Sequence, residues 1–119
     1  MSAPFFGTGP VRPAGDEPGD GLAYEVYDPD LVVGGKRMED HLRIAVCYWH
    51  SFCSPGDDVF GRGTWDRPWL EAAAGDPMSA AEAKLDAAFE LFTLLGTPFF
   101  CFHDFDLAPE GDSLRASRA

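Results

Sequence analysis

The clearest periodic pattern in the chain lies between Asp76 and Leu95. Met78, Ala81, Leu85, Ala88, Phe89, Phe92 and Leu95 recur at steps of three to four residues, the spacing of one apolar helix face. Asp76 followed by Pro77 is an N-cap with proline in the first turn, and Ser79-Ala80-Ala81-Glu82 offers a capping box as a second possible start. Gly96 is the expected stop. Two other stretches have no helical period. Leu42 to Phe52 is almost continuously apolar and rich in β-branched and aromatic residues, and Thr97 to Phe102 reads the same way. Both predict strands covered on two faces, as in a parallel sheet, although a buried helix fits the first run as well. Strand, helix and strand in that order favour parallel pairing with a right-handed crossover.

The remaining segments are irregular. Residues 1–28 carry Gly9-Pro10, Pro13 and the run from Gly15 to Gly21, which are turn residues. They predict an arm lying over a surface, pinned by Phe5, Phe6, Tyr24 and Tyr27. Asp28-Pro29 predicts a short helix toward Val33, broken by Gly34-Gly35, with a second helical turn over Lys36 to His41. Cys53 to Gly75 is a long loop carrying Phe60, Trp65 and Trp69, and loops of that length are commonly functional. Beyond Leu107, another helix is expected around Ser113. The fold class is α/β, divided into an N-terminal arm with a short helix (1–41) and a first βαβ portion (42–119).

Composition narrows the functions. At 119 residues the chain has room for one modest domain, and 45% hydrophobic residues argue against disorder. Ten Phe and three Trp point to a filled core, a ring-lined pocket or a large interface. A net charge of −11 disfavours nucleic acid and anionic membrane surfaces as partners. The three Cys form no CxxC pair, which fits free thiols in a reducing compartment. No signal peptide and no stretch of membrane-spanning length is visible, so the expectation is a soluble cytoplasmic protein.

Sites in parallel α/β folds form at the carboxyl ends of strands. That rule marks Trp49, His50, Ser51 and Phe52 after the first strand, and His103, Asp104 and Asp106 after the second. A histidine with a carboxylate fixing its proton can move a proton to or from a sugar oxygen. The plainer alternative is a strand-end histidine among solvated acids. Trp49 and Phe52 could wall a carbohydrate pocket, or both could be core. His41 and His50 receive no role. Cys47, Cys53 and Cys101 lack metal-ligand spacing, and Gly34-Gly35-Lys36 is not a phosphate loop.

Several stretches together resemble xylose isomerases, in the class with the longer N-terminal extension. They are Tyr27-Asp28-Pro29-Asp30, GKRMEDHLR at Gly35 to Arg43, YWHSF at Tyr48 to Phe52, and Phe60-Gly61. Arg67-Pro68-Trp69, Asp76-Pro77-Met78 and PFFCFHDFDLAPEGDSL at Pro98 to Leu114 continue the series in order. The resemblance implies the N-terminal part of a (β/α)8 TIM barrel, with about two strands and one full helix here, preceded by the irregular arm. It implies a magnesium-type metal enzyme using two divalent cations (Mg, Mn or Co), a homotetramer, and D-xylose as substrate with D-glucose possible. His103 matches the histidine that binds the ring oxygen and assists opening, and Asp106 the carboxylate that orients and charges it. Trp49 matches an aromatic pocket wall, and Phe60 a ring reaching a neighbouring subunit's site. Asp104 is not matched to catalysis, and Ser51 stands where the family pattern often has Thr. The metal-binding residues belong to later strands, so no cation is expected on residues of this chain, and Glu110 and Asp112 do not replace them.

A barrel needs about 250 residues. The chain is therefore expected to be an isomerase fragment, inactive alone. The alternative is a non-catalytic binding or interaction module derived from the barrel, which predicts a defined, cooperatively folding species.

Overall fold

The structure is a computed structural model that describes residues 4–13, 23–24, 26–57, 59–61, 67–71 and 75–118. Within them the elements run β1 (Arg12–Pro13), β2 (Ala23–Tyr24), β3 (Val32–Val33), β4 (Lys36–Arg37), α1 (Met38–His41), β5 (Ala45–Cys47), a π-helical turn (Trp49–Cys53), α2 (Pro68–Glu71), α3 (Pro77–Leu95), β6 (Phe99–Cys101), α4 (Asp104–Leu107) and a 3-10 turn (Ala116–Arg118). The expected turns from Gly15 to Gly21 and the ring of Trp65 lie outside the described residues.

Helix α3 forms where its pattern placed it. The Asp76 carboxylate accepts the Met78 N–H at 3.1 Å, and Pro77 occupies the first turn. At the other end Gly96 adopts φ 63°, and Thr97 N–H donates to the Phe92 carbonyl, which closes a left-handed cap. The apolar stripe divides. Ala81, Ala88 and Phe92 are buried, and so is Ala87 beside the stripe, whereas Met78, Leu85, Phe89 and Leu95 are exposed.

The inner stripe meets a small aromatic core of Tyr48, Phe52 and Trp69. Phe52, 1% exposed, has its ring centroid 5.6 Å from Trp69 and 6.0 Å from Phe92. The Trp69 indole N–H donates to the Phe52 carbonyl at 3.0 Å, so a buried polar atom is satisfied inside the core. The arm docks on the same body. The N–H groups of Phe5 and Phe6 each donate to one oxygen of the Glu90 carboxylate at 2.9 Å, and Phe5 sets its ring edge-on to Trp69.

Strands β5 and β6 pair in parallel with Ala45 opposite Phe99, Val46 opposite Phe100 and Cys47 opposite Cys101. This is the expected strand–helix–strand connection, and mixed helix and strand holds as the fold class. Among the described residues the three sheets have two strands each and none closes a barrel.

Five expectations are corrected. The helix from Asp28 to Val33 does not form. The Asp28 carboxylate accepts the Asp30 N–H at 2.9 Å, a local turn that competes with helix, and Val32–Val33 then pairs with Lys36–Arg37. Gly34 and Gly35, at φ 60° and 81°, make the two-residue hairpin turn that two positive φ values allow, rather than a helix break. The apolar run from Leu42 to Phe52 is strand only over Ala45–Cys47 and then winds into the π-turn, closed by the Ser54 N–H on the Trp49 carbonyl at 2.9 Å. Finally, β6 is not covered on two faces. Phe99, Phe100 and Cys101 are all exposed, although Phe100 stacks on Phe92 at 5.0 Å. The expected helix near Ser113 is reduced to the 3-10 turn.

If Phe52 organises this core, truncating it costs far more than truncating an outer ring. Phe52→Ala is expected to lower the unfolding free energy by about 3–5 kcal/mol. Phe105→Ala, at an exposed position, is expected to cost about 0.5 kcal/mol or less. Urea unfolding of the chain followed by tryptophan fluorescence compares them, and equal losses would contradict this packing.

Candidate functional site

The carboxyl ends of β5 and β6 lie side by side because Cys47 and Cys101 are in register. Two residues beyond each stand Trp49 and His103. His103 follows β6 in extended geometry and caps α4. Its backbone N–H donates to Asp106 Oδ2 at 2.7 Å, its ring Nδ1 lies 3.0 Å from the same oxygen, and its carbonyl accepts the Asp106 N–H at 3.0 Å. The i, i+3 spacing of one helical turn brings the two side chains together.

The two partners have different surroundings. The Asp106 side chain is 5% exposed and the His103 side chain 73% exposed. Asp106 is enclosed on the side of the core, where the Cys53 thiol donates to its carbonyl at 3.8 Å. Burial pushes the nearby Tyr48 hydroxyl up to about 12, and negative charge on Cys53 and Asp106 adds to the effect. A buried carboxylate needs partners, and here His103 supplies two. With Nδ1 committed to Asp106, Nε2 is the ring atom left for a ligand. The pair can thus bind an oxygen and exchange a proton with it through an imidazole held in one orientation.

Trp49, 42% exposed, sits on the π-turn with its ring edge-on to His50 at 4.7 Å. Phe52, read with it as a possible pocket wall, belongs to the core instead. The π-turn separates them: its wide spacing turns Tyr48 and Phe52 inward and leaves Trp49 and His50 outward. Phe60 lies in the following loop and is 94% exposed.

One contact was not anticipated. His50 carries no role in the sequence reading, yet its Nδ1 lies 3.1 Å from Cys47 Sγ. An i, i+3 spacing would have suggested the contact only if the turn had been foreseen. Among the described residues no group of three or more His, Cys, Asp or Glu could hold a metal ion. No helix among them is long and apolar enough to cross a membrane.

No family model matches the chain. Curated proteins do. The chain is 58% identical over 106 residues to the xylose isomerase of Paraburkholderia phymatum, covering 89% of this chain and 24% of that protein. It is 54% identical over 121 residues to the xylose isomerase of Mesorhizobium japonicum, covering 100% of this chain and 27% of that protein. The xylose isomerase of Agrobacterium fabrum is 54% identical over 112 residues, 93% of this chain and 25% of its own length. The chain spans about a quarter of the length of the curated relatives it matches.

The Asp106 contact fixes the histidine tautomer. When neutral, the His103 ring is expected to carry its proton on Nδ1, the reverse of the usual preference, and Asp106→Ala is expected to return it to Nε2. Long-range nitrogen–proton NMR spectra of the ring distinguish the two. An Nε2–H tautomer in the unaltered chain would sink the assignment.

Proposed function

We propose, from the premise that this chain belongs with the xylose isomerases over the stretch it shares with them, that it supplies the ring-opening end of an aldose–ketose isomerase. In this reading residues 42–119 are the first βαβ portion of a (β/α)8 barrel and residues 1–41 the arm that precedes it. The reaction of the whole protein interconverts D-xylose and D-xylulose, with D-glucose as a further substrate, in a cytoplasmic homotetramer.

The observation that carries the proposal is the His103–Asp106 pair at the end of β6, with its buried carboxylate and exposed imidazole. A pyranose opens when a proton reaches its ring oxygen as the anomeric hydroxyl gives one up. His103 binds the ring oxygen through Nε2 and delivers the proton there, while Asp106 holds Nδ1–H and stabilises the charged ring. Trp49, beside it at the end of β5, offers an aromatic face to the apolar C–H side of the sugar. Phe60, on the outer loop, serves a neighbouring subunit's site.

The two divalent cations implied by the family belong in this reading to residues of later strands, and this chain's residues take no part in holding them. The 119-residue chain alone is inactive in this reading.

The test places this chain in position of the matching 121 residues of the Mesorhizobium japonicum relative. The chimera is expected to interconvert D-xylose and D-xylulose, and the separate chain to show no turnover. In the chimera His103→Asn is expected to lower kcat/KM by about 10²-fold. Turnover by the chain alone, or a folded chimera indifferent to His103→Asn, would overturn the proposal.

A further inference from the structure

Two thiols and an imidazole meet on the β5–β6 pair, and no step proposed above uses them. Cys47 ends β5, Cys101 ends β6, and the two are directly opposite in the parallel register. Neighbouring strands lie about 4.8 Å apart, within the roughly 4.4–6.8 Å between Cα atoms that a disulfide spans. The two thiols are close enough to act on each other's acidity, and the Cys101 thiol donates to the Val46 carbonyl, one residue before Cys47, at 3.9 Å. His50 is brought outward by the π-turn and sets Nδ1 3.1 Å from Cys47 Sγ.

The three thiols of the chain are placed differently. Hydrogen bonds from the backbone and ring of His50 hold Cys47 down to about 7. Burial, and then the neighbouring Cys47, push Cys101 up. Cys53 is raised by burial and packs against Lys84, whose ammonium lies 3.5 Å from its sulfur. Cys47 is half-buried and Cys101 exposed, so a small oxidant reaches both. An accessible, activated thiol beside a second thiol is the arrangement of redox-sensing cysteines.

We propose that Cys47 and Cys101 form a peroxide-responsive thiol pair, in which Cys47, hydrogen-bonded to His50, attacks the oxidant and Cys101 resolves the product. The Cys47 thiolate attacks one oxygen of a hydroperoxide. The S–O bond forms, the O–O bond breaks and the other oxygen leaves as hydroxide, which takes a proton to become water. Cys101 then attacks the sulfenic sulfur. The S–S bond forms, the S–O bond breaks, and the oxygen leaves as water with the Cys101 proton. Two thiols lose two electrons, which reduce one peroxide to two waters. The disulfide ties β5 to β6 two residues ahead of Trp49 and His103. The proposal rests on thiol geometry and stands whether or not the chain handles sugars.

The test exposes the 119-residue chain to stoichiometric hydrogen peroxide at neutral pH, alkylates the remaining thiols and maps the peptides by mass spectrometry. The expected product is a monomer with a Cys47–Cys101 disulfide and a free Cys53. Cys101→Ser is expected to stop at a Cys47 sulfenic acid that dimedone traps, and Cys47→Ser to leave Cys101 reduced. His50→Asn is expected to slow the reaction about fivefold, because the loss of thiolate outweighs the gain in its nucleophilicity. Should a variant misfold, alkylation of the unaltered chain decides: Cys47 must react first of the three thiols. A disulfide containing Cys53, a disulfide only between chains, or Cys47 reacting no faster than Cys101 would overturn the proposal.

Discussion

The packing of Phe52 against Trp69 and Phe92 is the contact on which the rest of the described structure depends. It joins three segments far apart in sequence: the π-turn after β5, the short helix α2 and the long helix α3. Its backbone carbonyl also receives the Trp69 indole N–H, so one residue supplies both apolar contact and a satisfied polar bond. The arm reaches this body through Phe5 on Trp69 and through the Glu90 carboxylate on α3. Fixing α3 against the π-turn then sets where β6 starts, because Gly96 turns the chain directly from the helix into that strand.

The site is a consequence of that packing. Continued strand alternation from Ala45–Cys47 would have put Tyr48, His50 and Phe52 on one face. The core has use for Tyr48 and Phe52 but no room to bury an imidazole without partners. The π-turn resolves the conflict by winding His50 outward, beside Cys47, and by leaving Trp49 at the strand end. On the other strand the core side of α4 buries Asp106, and the buried carboxylate in turn holds His103 at the surface. Interior packing therefore orients the surface histidine.

The sequence made α3 legible because its signals are local. A capping aspartate, a proline in the first turn, a period of three to four and a terminal glycine all act within a turn of the residues they control. The parallel pairing of β5 and β6 followed from element order. Gly34-Gly35 was misread because the same pair breaks a helix and makes a hairpin, and only the partner strand decides between them. The run from Leu42 to Phe52 is strand over only part of its length, for a related reason. A continuous apolar run has no period, so the strand, the turn and their junction share one signature. His103 and Asp106 were legible as a pair by spacing, but the difference in their burial depends on Tyr48 and Cys53, fifty or more residues earlier in the chain.

The exposed apolar surface has the same logic in reverse. Met78, Leu85, Phe89 and Leu95 on α3, and Phe99 and Phe102 at β6, are patterned as residues meant for contact, yet they are open here. The chain spans about a quarter of its curated relatives' length. The inner core and the outer surface then carry different information. The orientation of His103 depends on contacts this chain makes internally, through Asp106, α4 and the Phe52 core. The two-stranded sheet beneath it is marginal by itself and gains its rigidity from Phe100 stacked on Phe92. The histidine–carboxylate pair is thus preorganised at a short range, by residues within a single βαβ portion, while the strand surfaces around it remain open for further contacts.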